Sequence, residues 1–285
     1  INCGLYRVQL KDPHRALLRC HPGSGGAGHI KAWHDMGEAM PVAIALGGPP
    51  ALTGIASVSL PQNISEVNFA GYLMDSALAM TTTKTSQLSV PAAAEIVLEG
   101  RIFPGETMPE GPFGNHTGYY ASRSPAPVLR VESISMKQNA IYPCTVVGPP
   151  PMENIHLART SERILLPLLQ HDYPWVRDVH MPAESIFHRV ALVHVADDCG
   201  SDLQEIRDAL KSSMLLKGSK LIILLDQEPD RLDQKKIYWQ LINSLGQSEK
   251  VIGEVVDARN KSGKKVLQAE TIVKMIEARW KEYGL

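Results

Sequence analysis

Pro109-Glu-Gly-Pro-Phe-Gly-Asn-His-Thr-Gly-Tyr-Tyr120 is the densest chemical stretch of the chain. Two prolines and three glycines set its backbone as a succession of turns. Between them stand Glu110, Asn115, His116 and Thr117, side chains that accept, donate or carry a proton. Loops held by a rigid scaffold are common homes for catalytic groups. The same glycines and prolines also suit a tight barrel corner, and the stretch alone leaves both readings open.

The residues around it argue for a barrel or sandwich. Short apolar runs at 41–46, 94–98, 128–136 and 141–147, punctuated by Gly and Pro, read as strands, with a helix near 29–36. Gly148-Pro-Pro-Pro151 closes this half, because consecutive prolines lack donors and favour extended backbone. Beyond it the pattern changes. A helix is predicted around 155–170, followed by strands at 189–195, 220–225 and 251–256. Helical spacings separate these strands: Leu203, Ile206, Leu210 and Met214; Ile237, Leu241 and Leu245; Ile272, Ile276, Trp280 and Tyr283. Such alternation predicts one sheet covered by helices, so the chain as a whole is expected to be mixed α/β.

Composition agrees with two cores in 285 residues. Residues 1–150 hold 10 Lys+Arg and 10 Asp+Glu, whereas 151–285 hold 19 and 20, so the two halves differ in charge density while the net charge is −1. No global field draws nucleic acid or acidic lipid. No apolar run reaches the roughly 18 residues that span a bilayer, and no leader opens the chain. Four scattered cysteines (Cys3, Cys20, Cys144, Cys199) with no paired spacing predict a reduced, cytoplasmic protein. The chain starts at Ile1 inside a strand-like stretch, from which a missing upstream segment is expected.

His21-Pro-Gly-Ser-Gly-Gly-Ala-Gly-His29 contains a formal G-x-G-x-x-G. Glycines let backbone N–H groups approach an anion at a helix N-terminus. A dinucleotide site also requires an acidic residue after the second strand, yet 41–46 runs into Gly47-Gly48-Pro49-Pro50. A different phosphate loop, or a plain connection, fits better.

The stretch at 110–120 closely resembles the Glu-Gly-Pro-Phe-Gly signature of the UbiD-like decarboxylases, which use prenylated FMN. Asn2-Cys-Gly-Leu-Tyr-Arg7 is similar to their cofactor segment. Residues 42–48, then Ser57-Val-Ser-Leu-Pro61 with Ser65-Glu66, then Val90-Pro-Ala-Ala-Ala-Glu-Ile-Val-Leu-Glu-Gly100, are similar to their central segments in the same order. The resemblance implies a flavin-binding split β-barrel domain at 1–150, a linker helix at 151–172 and a C-terminal α/β domain at 173–285 that mediates homo-oligomerisation, as a dimer or hexamer.

It also implies chemistry. A divalent cation, Mn²⁺ or Mg²⁺, would sit on Asn2, Glu66 and His29, donors that suit a hard or borderline ion; a potassium ion often accompanies it, at no assignable position. Backbone donors beside Ser24 and Gly25 would hold the cofactor phosphate, while Leu5, Tyr6 and Arg7 together with Arg19, Cys20 and His21 would line the flavin. The implied reaction is reversible, non-oxidative decarboxylation of an aromatic or α,β-unsaturated carboxylic acid through a covalent adduct with the cofactor, whose electronics do the difficult step. Arg7 matches the arginine that faces the substrate carboxylate, and Glu110 its paired carboxylate. A separate flavin prenyltransferase would supply the cofactor.

Three departures from the family pattern stand out. Asn115 occupies the position of the family's second acid, and an amide delivers no proton at neutral pH; Glu110, His116 or water would then carry the transfer, or the chain is an impaired or structural subunit of a larger complex. Family members carry a further α/β domain ahead of Asn2. They also carry a longer loop where this chain has only 246–250, so Lys250 matches the family's cofactor lysine unsafely. Elsewhere, His180, His188 and His194 fit no zinc spacing and read as surface or satisfied histidines. Lys261, Lys264 and Lys265 read as a solvated turn, and Trp239, Trp280 and Tyr283 as core or subunit contact.

Overall fold

The computed structural model describes residues 4–61, 64–186, 188–200, 202–228, 233–245, 247–259 and 270–279. The first half runs β1 (Arg7–Asp12), β2 (Arg15–Arg19), α1 (Gly25–Asp35), β3 (Met40–Leu46), α2 (Pro50–Ala56) and α3 (Glu66–Leu73). A small ribbon follows, β4 (Met80–Thr82) with β5 (Ser89–Pro91), then the long strand β6 (Ile96–Glu110), the short pair β7 (Phe113–Gly114) and β8 (Tyr120–Ala121), and β9 (Ser124–Met136). Five of these strands form one sheet in the order β1-β2-β9-β6-β3, every neighbour antiparallel.

In a flat sheet β1 and β6 would lie about 14 Å apart, three strand spacings. Instead the Gly111 N–H donates to Gln9 Oε1 at 3.0 Å and Arg7 reaches Glu110. The sheet is therefore rolled until the start of β1 meets the end of β6. Ala16, Leu18, Ile30, Met40, Val42, Ile102 and Leu129 fill the inside, drawing α1 onto the roll. A bulge at Glu99/Gly100 helps the strands bend. A Cβ on Gly100 would stand 2.0 Å from the Arg130 carbonyl oxygen, so only glycine permits that approach.

β6 also holds a buried charge. Glu99, 1% exposed, accepts from the N–H groups of Lys84, Thr85 and Ser86 and from the hydroxyls of Thr85 and Ser86. Burial alone would raise its pKa, but the Thr85 hydroxyl and the three N–H groups outweigh it and hold the carboxyl at about 2. The 83–88 turn is thereby clamped to the sheet.

The second half consists of α4 (Asn154–Asp172), β10 (Val176–His180), β11 (Val190–Val195), α5 (Leu203–Ser212), β12 (Leu221–Leu225), α6 (Gln234–Leu245), β13 (Val251–Ile252), β14 (Val255–Asp257) and α7 (Glu270–Ala278). The sheet order is β10-β11-β12-β14-β13, with β11, β12 and β14 parallel and both edges antiparallel. α4 packs Leu165 and Leu169 against Val179, Val193 and Leu210, and Val58 from the first half joins the same core. The mixed α/β class expected from the sequence is what the structure has.

Several expectations about elements need correction. Residues 141–147 form no strand: Ile141, Tyr142 and Val146 are exposed, and the Ile141 N–H is drawn onto the Glu95 side chain rather than into a ladder. The helix predicted near 29–36 begins at Gly25, so most of the glycine stretch is helix. The apolar run 251–256 is a hairpin, β13 to β14, turning at Gly253 with φ +53°. β10 carries too weak a pattern to have been predicted. Trp239 is 56% exposed, not core, because α6 turns Ile237, Gln240 and Ser244 inward. Lys250 donates to the Arg259 carbonyl at 3.4 Å within the second half. Trp280, Tyr283 and the lysine turn at 261–265 lie outside the described residues.

Candidate active site

The motif stretch is the hairpin connection between β6 and β9, with the β7–β8 ribbon inside it. The last rung of the ladder pairs Glu110 with Ser124, and the first rung of β1–β2 pairs Arg7 with Arg19. Rolling the sheet brings these four positions to one end. Arg7 Nη2 donates to Glu110 Oε2 at 2.7 Å, and Arg7 Nε stands 2.6 Å from Oε1. The second limb is an ionic contact whose N–H direction misses hydrogen-bond alignment. Glu110 is fully buried and the Arg7 side chain retains 19% exposure. Phe113 lies under the guanidinium, its ring centroid 4.4 Å from Cζ. Glu110 lies along the Nε side and takes one Nη2 proton, which leaves both Nη1 protons and the second Nη2 proton as an in-plane edge.

Arg19 is anchored through Nη1 to Ser124 Oγ, with the Pro125 carbonyl at 3.4 Å. Its Nε is buried with no hydrogen-bond partner. An orphaned cationic donor beside Arg7 is what a bound anionic or polar group would satisfy, so the residues expected to line a flavin fit one. Cys20 follows Arg19, and burial pushes its thiol up. Leu5 is exposed, joined by its N–H to the Ala56 carbonyl. His21 and Gly25 are exposed and Ser24 half-buried.

Ser24 caps α1, its Oγ accepting from the Ala27 N–H at 3.3 Å. The Gly26 N–H donates to Tyr6 Oη at 2.8 Å. A Cβ on Gly26 would come within 2.7 Å of that oxygen, which is why this turn is glycine. Two first-turn donors of α1 thus have partners within the chain, and a phosphate there would have to displace Tyr6 or use Gly25. β3, which follows α1, runs antiparallel to β2, so the segment is no βαβ unit and the dinucleotide reading falls away.

Of the expected cation ligands, Glu66 is half-buried in the first turn of α3 and His29 is exposed on α1; Asn2 lies outside the described residues. Among the described residues no three His, Cys, Asp or Glu side chains converge on one point.

Asn115 forms an Asx turn. Its Oδ1 accepts from the Thr117 N–H at 2.8 Å and the Thr117 hydroxyl at 2.6 Å, and its carbonyl from the Gly118 N–H. His116 leaves the hairpin in another direction, into a crevice against the second half lined by Pro150, Asn154, Pro182, Ala183 and Ile186. Burial, then the charge of Arg189, lowers its pKa, while Glu153 opposes them. The sequence reading missed Phe113 under Arg7 and the Gln9 brace. The brace had a signal, since Gln9 is two residues from Arg7 on the same strand face.

Comparisons with known proteins bear on the fold and the family. The chain is 34% identical over 253 residues to an uncharacterised protein of Archaeoglobus fulgidus, covering 88% of this chain and 53% of that one. It superposes with a TM-score of 0.80 and 24% identity on an evolved dimeric form of the UbiD-class enzyme HmfF from Pelotomaculum thermopropionicum in complex with prFMN, over 97% of this chain and 65% of that one. The closed form of Sedimentibacter hydroxybenzoicus vanillic acid decarboxylase gives 0.80 and 23%, over 98% and 65%. The chain therefore spans between about half and two thirds of the length of these proteins. Among the described residues no helix is long and apolar enough to cross a membrane. Residues 1–150 match the 3-octaprenyl-4-hydroxybenzoate carboxy-lyase Rift-related domain and residues 155–252 the C-terminal domain of the same enzymes, so the chain belongs to the UbiD carboxy-lyase family.

Proposed function

We propose that the chain is the flavin-binding and C-terminal part of a carboxy-lyase that reversibly removes carbon dioxide from an aromatic or α,β-unsaturated carboxylic acid. The observation that carries this reading is the buried Arg7–Glu110 pair with its unspent guanidinium edge, beside the orphaned Nε of Arg19. Prenylated FMN, when bound, would supply the electron sink that the reaction needs. Leu5, Tyr6, Arg7, Arg19, Cys20, His21, Ser24 and Gly25 are the residues we assign to holding it. Asn2, His29 and Glu66 are those we assign to Mn²⁺ or Mg²⁺ at its phosphate, with potassium as a further ion.

Arg7 would receive the substrate carboxylate in the plane of its fork, since Phe113 covers one face. Glu110 holds that fork still and, as carbon dioxide leaves, keeps the cation paired. Asn115 is committed to its turn, so the proton that replaces carbon dioxide would come from Glu110, His116 or water. A flavin prenyltransferase would supply the cofactor. The exposed face of α6, with Tyr238, Trp239, Ile242 and Leu245, is where we expect a second copy to bind.

One observation favours a second reading. The second acid of the family is replaced by a turn-forming amide, as a non-catalytic subunit of a larger complex would tolerate. Co-expression with a flavin prenyltransferase separates the two. Bound modified flavin, stoichiometric metal and carbon dioxide release from cinnamic-type, hydroxybenzoic or heteroaromatic acids support the enzyme. Bound flavin without turnover supports the subunit, and no bound flavin overturns both.

A further inference from the structure

Gln9 reaches the end of β6 from the same strand face as Arg7, since residues two apart on a strand share a face. Across the β1–β2 ladder Arg7 stands opposite Arg19, and Gln9 opposite Leu17. Leu17 is fully buried, in an apolar group with Ala126, Val128 and Met108. Packing at position 9 therefore favours an apolar side chain, yet the residue there is a half-buried amide. A side chain that departs from its surroundings in this way marks a site where a specific bond outweighs packing.

The bond goes to the motif. Glu110 is the last rung of β6 against β9, paired with Ser124. The next N–H belongs to Gly111, whose φ of +99° turns the backbone out of the ladder, and Pro112 after it has no N–H to offer. Gln9 Oε1 accepts the Gly111 N–H at 3.0 Å. Two ties thus cross one seam: Arg7 Nη2 to Glu110 Oε2 at 2.7 Å, and Gln9 to the peptide that follows Glu110. They differ in kind. A carboxylate ligand competes with Glu110 for the guanidinium, whereas the Gln9 tie is neutral and stays in place when Arg7 takes a further partner.

We propose that Gln9 is a positioning residue for the Arg7–Glu110 pair: through the Gly111 N–H it fixes the backbone of Glu110 against β1, and so holds the guanidinium fork in place while a carboxylate comes and goes. The inference rests on the decarboxylase reading and deepens it, because it names what keeps the site in register when Arg7 shares its charge between Glu110 and a substrate.

The test is hydrogen exchange at the Gly111 N–H and at the Arg7 Nε–H, followed by ¹⁵N NMR at pH 7 in the full chain without cofactor, for the wild type, Gln9→Leu and Gln9→Glu. Arg7→Lys assigns the arginine signal, and circular dichroism confirms the fold. In the wild type both protons should exchange slowly. Gln9→Leu should speed exchange at least about tenfold at Gly111 and about threefold at Arg7, while its urea midpoint stays close to the wild type because a leucine packs on Leu17. Gln9→Glu keeps an acceptor oxygen and should restore both rates. If Gln9→Leu fails to fold, Gln9→Asn, one methylene shorter, carries the same comparison. In the flavin-loaded chain, Gln9→Leu should lower kcat/KM for the carboxylic acid about tenfold. An unprotected Gly111 N–H in the wild type, or an Arg7 Nε–H that exchanges alike in the wild type and Gln9→Leu, overturns the inference while leaving the decarboxylase reading standing. Coupled exchange at both protons in a chain that binds flavin and releases no carbon dioxide overturns the decarboxylase reading instead.

Discussion

Arg7 and Glu110, 103 positions apart, meet where a rolled sheet brings the start of β1 to the end of β6, and the carboxylate of the pair is fully buried. The contact belongs to the fold and to the site at once. Arg7→Ala removes the cation and leaves Glu110 buried alone, so denaturant titration should show a loss of about 3 kcal/mol. Arg7→Lys keeps the charge but not the fork, and should recover part of that stability while carbon dioxide release stays at least about 100-fold down.

The ring beneath the guanidinium gives a milder test. Phe113→Leu preserves bulk but removes the π-face that supports Arg7 at 4.4 Å. A contact of about 1 kcal/mol corresponds to roughly a fivefold rise in KM for the carboxylic acid, with kcat little changed. Initial-rate kinetics check this.

Asn115 separates turn formation from acid chemistry. Asn115→Asp retains an oxygen to accept the Thr117 N–H, so the hairpin and its activity should survive. Asn115→Ala leaves that donor and the Thr117 hydroxyl without their acceptor, and turnover should fall about tenfold as the motif hairpin loses its shape. Side-by-side assays of the two variants, with amide exchange at Thr117, read out both effects.

Glu99 predicts an acid-sensitive clamp. Its folded pKa of about 2 lies below the 4.5 ordinary for a glutamate carboxyl. A depressed carboxylate stabilises the fold fully above its unfolded pKa and loses that contribution as pH falls through the folded one. On the order of 3 kcal/mol is therefore present at pH 7, begins to fall below about 4.5 and is gone below about 2. Glu99→Gln should destabilise the chain at pH 7 and converge on the wild type in acid, as urea titrations at pH 7 and pH 3 would show.

Much of the fold was legible because burial writes a period into the sequence. β3, β9 and β11 follow runs of apolar residues, and α5 follows Leu203, Ile206 and Leu210, all buried. The period says which face is buried but not against what. Residues 141–147 hold Ile141, Tyr142, Val146 and Val147, yet Ile141, Tyr142 and Val146 stay exposed, and no strand in the described structure pairs with them. The site was legible where one short segment carries it, as in 110–120. It was not where two distant segments must meet: the closure through Gln9 and the seating of His116 in a crevice with Pro182 and Ile186 depend on how the sheet rolls and the halves pack, which no local spacing encodes.

The central claim is that the Arg7 fork, held by Glu110, receives a carboxylate that is then lost and regained as carbon dioxide. Exchange of ¹³C-bicarbonate into the substrate carboxyl by the full chain co-expressed with a flavin prenyltransferase tests it most directly. The predicted result is time-dependent label incorporation in the wild type and at least 100-fold less in Arg7→Ala carrying the same amount of flavin. Equal incorporation in the two proteins would contradict the account.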